Sequence, residues 1–184
     1  MKISIKKSFA ICSLILTGAA STQCFAAAAE NSITFSGKLI DKACTVVVND
    51  GTATVDLGST AVADIATTGK TSAPKTFTVA LNSCPAAGAG VPTKAYVEFE
   101  GTTDGDETYF KNTADAATAA TNVAVIIKDA SETAIINKDK NAAITLPTAA
   151  GDIVTDYTAM MIATADDATK GDVSTTLTYN VSYE

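Results

Sequence analysis

The sequence predicts an all-β sandwich, and three observations carry that prediction. After residue 30 the apolar residues fall in short runs of period two, as strands do. Gly, Pro, Asn and Asp break those runs at turn-like intervals. The last run alternates to the final residue with an uninterrupted polar face. A length of 184 residues suits one domain with, at most, a small arm beside it.

The predicted strands, in order, are 33–48, 52–57, 76–81, 95–100, 122–128, 134–136, 143–146, 157–164 and 173–183. Asn49-Asp50-Gly51 is a tight-turn candidate between the first two, because these residue types tolerate positive φ. Pro85 to Pro92, interleaved with Ala and Gly, reads as a loop, and so does Asp104-Gly105-Asp106-Glu107. Residues 114–120 are Ala-rich, which favours helix, but no amphipathic pattern supports one. They read as a short helix or an irregular surface stretch.

The first 26 residues read as a cleaved export signal. Lys2, Lys6 and Lys7 form a positive start, residues 9–20 an apolar run, and Ala26 to Ala29 a small-residue site. Cleavage falls after Ala26 or after Ala28. The apolar run is shorter than the roughly 20 residues a membrane span needs. Ser21-Thr22-Gln23 before Cys24 lacks the pattern of a lipid-attachment site. Leu146-Pro147-Thr148-Ala149-Ala150 is an incomplete sortase-like string with no apolar tail after it.

Export removes Cys12 and Cys24 and leaves Cys44 and Cys84, an even number in an oxidising compartment, so the two are expected to pair. Two thiolates with no histidine make only half a zinc site.

Composition narrows the function. The chain has no His, which excludes Ser-His-Asp and Cys-His catalysis and His-ligated zinc. It has no Arg, and loss of the leader leaves ten lysines against 20 carboxylates. That balance argues against nucleic acid, whose phosphates need concentrated positive charge. Asp104, Asp106 and Glu107 are the nearest thing to a catalytic or calcium cluster, but their spacing fails the EF-hand pattern, and loop carboxylates are ordinarily solvated charge. Tyr109 and Phe110 are the one candidate aromatic platform for sugar, and a core strand position suits them better.

Two segments stand out. In residues 31–39, Ile33, Phe35 and Leu39 share one parity with Asn31 and Gly37, while Ser32, Thr34, Ser36 and Lys38 share the other. This is a half-buried strand with a notch at Gly37. It follows the cleaved leader and so begins as a free arm. In residues 173–183, Val173, Leu177, Tyr179, Val181 and Tyr183 share the apolar parity, interrupted at Thr175. A chain end frays unless it is tied into a sheet, so this one is expected to pair.

Taken in order, these pieces resemble the pilin subunits of chaperone–usher fimbriae, in particular the type 1-like major subunits. The resemblance covers the whole chain after the leader. It rests on Phe35-Ser36-Gly37-Lys38-Leu39 leading to Cys44, on Val55-Asp56-Leu57-Gly58, and on Phe77-Thr78-Val79-Ala80-Leu81-Asn82-Ser83-Cys84. It continues in Val97-Glu98-Phe99-Glu100-Gly101, in Gly171 and Val173, and in Tyr179 to Glu184 with its penultimate Tyr. Two positions depart from the family pattern. Asn31 stands where many members carry an apolar arm residue, and Thr175 where a small apolar residue is common.

The resemblance implies an incomplete immunoglobulin-like sandwich lacking its seventh strand, with one disulfide and an N-terminal donor-strand arm. The implied division is a leader over 1–26, an arm over 27–40 and a pilin domain over 41–184. In such subunits a periplasmic chaperone lends the missing strand, pairing with the strand that bears Val173, Leu177, Tyr179, Val181 and Tyr183. At an outer-membrane usher the arm of the next subunit replaces it, here through Ile33, Phe35, Gly37 and Leu39. The implied partners are thus a pilus chaperone, an usher and other pilus subunits, the implied location is a fimbria on the bacterial surface, and no enzymatic activity, cofactor or metal is implied. Two alternatives from residue patterns are a secreted sandwich that binds through its loops, and a minor or adaptor subunit of the same system.

Overall fold

The computed structural model describes residues 43–52 and 54–184, all within the unit that runs from Lys38 to Glu184. The predicted leader and arm, with Ile33, Phe35, Gly37 and Leu39, lie outside the described residues. Nine strands are described: β1 (Thr45–Val48), β2 (Lys75–Cys84), β3 (Lys94–Glu100), β4 (Thr103–Asp104), β5 (Asp106–Lys111), β6 (Val123–Asp129), β7 (Ile144–Thr145), β8 (Gly151–Ala163) and β9 (Thr178–Tyr183). They form a six-stranded sheet in the order β1-β2-β8-β6-β5-β4 and a three-stranded sheet in the order β7-β3-β9. Every ladder between these strands is antiparallel.

The core forms where alternate side chains of the sheets meet. Phe77, Val79 and Leu81 of β2 face inward, as do Val125 and Ile127 of β6, Tyr157 and Ala159 of β8, and Val97 and Phe99 of β3. Phe77 and Tyr157 are direct cross-strand partners and stack at 5.6 Å, while Phe99 of the other sheet meets Tyr157 edge-on at 5.4 Å. That aromatic trio joins the two sheets in the geometry aromatic rings favour. Phe110 is fully buried in the same core, which confirms the strand reading over an exposed platform.

Cys44 and Cys84 form the predicted disulfide, with Cα atoms 4.3 Å apart. The register explains the pairing. Thr45 opposes Asn82, so Cys44 falls beside the end of β2. Ser83, with φ of 54°, then carries Cys84 into the interior, and Asp152 Oδ1 accepts the Ser83 N–H at 2.7 Å.

Four sequence expectations are corrected. Residues 52 and 54–57 are not assigned to a strand: no described strand lies beside them, and residues 54–60 make no backbone–backbone hydrogen bond among the described residues. The Asp104–Glu107 loop is instead the tip of the β4–β5 hairpin, and Asp106 Oδ1 accepts from both N–H and hydroxyl of Thr108 there. Residues 134–136 only bridge to Lys128, whereas 114–120 take the irregular form of the two that the sequence left open. Regular pairing of the last strand begins at Thr178, not at 173. Asn49 and Asp50 do adopt positive φ (46° and 52°), but their turn leads into the unpaired stretch and not into a hairpin.

Candidate functional site

The ends of the two sheets leave an open cleft of about 1200 Å³. β1 is the edge of the larger sheet and β9 the edge of the smaller. One wall comprises Val46 and Val48 of β1 followed by Val55, Leu57 and Val62. The facing wall comprises residues 168–177 and Tyr179. The floor is the core itself: Phe77, Phe99, Val125, Ile127, Ala159 and Met161. An apolar floor of this size beneath two sheet edges is what a missing strand leaves behind.

Backbone polarity on the 173–183 wall can be read from its hydrogen bonds. Glu184 and Lys94 exchange both backbone bonds, at 2.9 Å each. In an antiparallel ladder such pairs recur every second residue. Ser182, Asn180 and Thr178 therefore direct their N–H and C=O toward β3, and Tyr183, Val181 and Tyr179 direct theirs to the open side. The alternation continues before β9. Ser174 C=O accepts from Thr113 N–H at 2.7 Å, and Asp172 C=O from Ala120 N–H at 3.0 Å. Val173, Thr175 and Leu177 have no backbone partner among the described residues.

Asn112 holds this wall in place. Its Nδ2 donates to the carbonyls of Ala120 and Asp172 at 3.0 and 2.8 Å, and its Oδ1 accepts from Ser174 and Ala114 at 3.0 and 3.1 Å. Gly171 lies just before the wall. A Cβ there would sit 2.3 Å from the backbone nitrogen of Ala120, so only glycine lets the chain pass this close. At the end of β9, Tyr183 Oη donates to the Cys44 carbonyl at 3.4 Å, and Lys140 Nζ pairs with Glu184 while lying 5.1 Å above the Tyr96 ring. The Lys140 contact holds the exposed Glu184 carboxyl below its usual range.

The structure divides the sequence-predicted wall residues. Val173, Leu177 and Tyr179 line the cleft. Val181 and Tyr183 lie beyond it, half-buried against the main core. Thr175 joins the lining, and its hydroxyl is solvent-inaccessible without a hydrogen-bond partner among the described residues. Sequence reasoning missed the opposite wall and Asn112. The alternation of Val55 and Leu57 carried a signal for the wall, whereas an Asn after a strand reads as any turn residue.

A family model described as fimbrial protein matches residues 33–184. The chain is 32% identical to the long polar fimbria protein A of Salmonella typhimurium, over 89% of this chain and 90% of that one. It is 30% identical to the F17 fimbrial protein of Escherichia coli, over 84% and 88%. Among solved structures it resembles the P pilus rod subunit PapA, with a TM-score of 0.63 and 20% identity over 78% of this chain and 100% of that one. That likeness is one of fold, and the fold and the sequence relatives agree: this chain belongs to the fimbrial protein family.

Proposed function

We propose that the cleft accepts an added β-strand, and that the chain polymerises through it as a structural subunit of a surface fimbria. The observation that carries this reading is the wall from Val173 to Tyr183. From Val173 to Tyr179 it offers backbone groups with no partner among the described residues, directly above an apolar floor. A strand laid there satisfies the backbone by hydrogen bonds, and its alternate side chains fill the floor. Each apolar side chain so buried contributes about 1.5–3 kcal/mol.

The arm at residues 31–39 has the matching pattern, apolar on one parity and polar on the other. Arm and cleft are different surfaces of one subunit. The contact is therefore heterologous, does not close, and grows a filament. An open cleft is an aggregation hazard before assembly, so a periplasmic chaperone holds it until an outer-membrane usher brings the next arm. Ile33, Phe35, Gly37 and Leu39 enter the neighbour's cleft, with residues 1–26 removed on export. In this role the chain catalyses nothing and needs no cofactor.

The test is Phe35→Asp in the full chain. Chaperone capture should persist, because the cleft is untouched, and fibres should disappear. Fibres at normal yield would refute the role of the arm.

A further inference from the structure

We infer that Gly101 sets the depth of the cleft beside Leu177: having no side chain, it takes in the Leu177 side chain and so leaves room for a large apolar side chain of an added strand. This rests on the strand-addition reading above and goes beyond it, to a residue outside the cleft lining that decides what the cleft admits.

Backbone conformation does not call for a glycine at 101. Gly101 is not among the described glycines with positive φ, so an L side chain meets no conformational obstacle there. The requirement is for space. A Cβ at 101 would overlap Leu177 Cδ2, and would come within 3.3 Å of Phe110 Cδ1 and 3.5 Å of the Thr176 carbonyl oxygen. Gly101 directly follows β3 and forms a notch, as glycine does where another part of the chain approaches closely, and Leu177 fills it.

Three observations make Leu177 the group that yields to such a Cβ. The backbone around 101 is tied down: Asn137 Oδ1 accepts the Gly101 N–H at 3.0 Å, Phe99 C=O accepts from Lys138 N–H at 2.8 Å, and Thr102 C=O accepts from Lys111 N–H at 2.9 Å. Phe110 is fully buried in the core and has nowhere to go. Leu177 is half-buried, precedes the first residue of β9, has no backbone partner among the described residues and borders the open cleft. A side chain at 101 therefore sends Leu177 toward the cleft. The volume an added strand needs for its own side chain is then already taken, and overpacking of this kind weakens a close-packed contact.

The test is a double-mutant cycle in the full chain, expressed with its chaperone and usher. Gly101→Ala should lower fibre yield at least tenfold. Leu177→Val is the reference, because it removes Cδ2 and keeps the wall apolar. Gly101→Ala added to Leu177→Val should assemble to within about twofold of Leu177→Val alone. Each comparison is read twice, as fibre yield and as the periplasmic level of disulfide-linked subunit held by the chaperone, so a variant lost before assembly is decided by its capture. An equal loss in both backgrounds would place the damage at Phe110 or Thr176 and overturn the inference. Wild-type assembly by Gly101→Ala would overturn it as well. Fibres that survive Phe35→Asp would overturn the strand-addition reading itself, whereas a missing coupling between 101 and 177 with Phe35→Asp still blocking assembly overturns only this inference.

Discussion

The hydroxyl of Tyr183 donates to the backbone carbonyl of Cys44 across 3.4 Å, linking the penultimate residue of the chain to the residue just before the first described strand. The contact joins the edge of one sheet to the edge of the other. Beyond it the two edges separate, and the cleft begins. Tyr183→Phe should cost about 1 kcal/mol, the loss of one hydrogen bond. Tyr183→Asp should cost several times more, because it places a carboxylate on a half-buried core position. Guanidinium midpoints of the two variants check the order. For the same reason the aspartate variant should be captured poorly by a chaperone and degraded in cells.

The disulfide closes a loop with a sequence separation of 40, for which chain entropy predicts about 4 kcal/mol of stabilisation. Replacing Cys44 and Cys84 by alanine together should lower unfolding stability by about that amount. Because the bond anchors β1, the variant should also lose the Val46–Val48 wall of the cleft. The check is a denaturant titration with and without reductant: wild type should be sensitive to reductant and the double variant insensitive.

Alkaline pH should destabilise the subunit through Tyr157. Burial first, and the neighbouring Asp129 carboxylate second, push its phenol up to about 12. The folded state thus holds the proton more tightly than the unfolded chain, whose tyrosines titrate near 10. The stability this confers is present below pH 10 and is lost as pH rises through 12. Tyr157→Phe should flatten the decline between pH 10 and 12, measured as thermal midpoint against pH. An unchanged slope would point to other groups.

Gly171→Ala should destabilise by more than the roughly 1 kcal/mol typical of a point substitution. The new Cβ would meet backbone atoms of Thr118, Ala119 and Ala120, which cannot rotate away as a side chain could. The damage should reach the cleft, since residue 171 leads directly into the wall. Thermal unfolding gives the first quantity, and binding of an arm peptide gives the second.

The pattern of these effects shows what the amino-acid order could reveal. β2, β3 and β9 were legible because their apolar residues alternate, with Phe77, Val79 and Leu81 pointing into the core as do Val97 and Phe99, and β6 because it is a short, continuous apolar run buried on both faces. The first half of β5 was hidden because Asp106, Glu107 and Thr108 are polar on both faces, whereas Tyr109 and Phe110 marked its second half. The 52–57 run had the alternation of a strand through Val55 and Leu57. Periodicity reports which side chains face inward, though, and not whether a neighbour exists to pair with. The same limit explains Val181 and Tyr183, whose parity matches Val173 and Leu177 but whose position along the chain places them past the cleft. Asn112 could not be recognised at all, because its four hydrogen bonds reach residues up to 62 positions away.

The central claim is that the sandwich is one strand short and that the arm supplies it. Its most direct test is the guanidinium unfolding midpoint of the mature subunit lacking residues 27–40, recorded with and without a synthetic peptide of residues 29–41. The account predicts a low midpoint alone and a large, peptide-dependent rise. A stable, cooperative domain whose midpoint ignores the peptide would contradict it, and would instead describe a complete sandwich that binds through its loops.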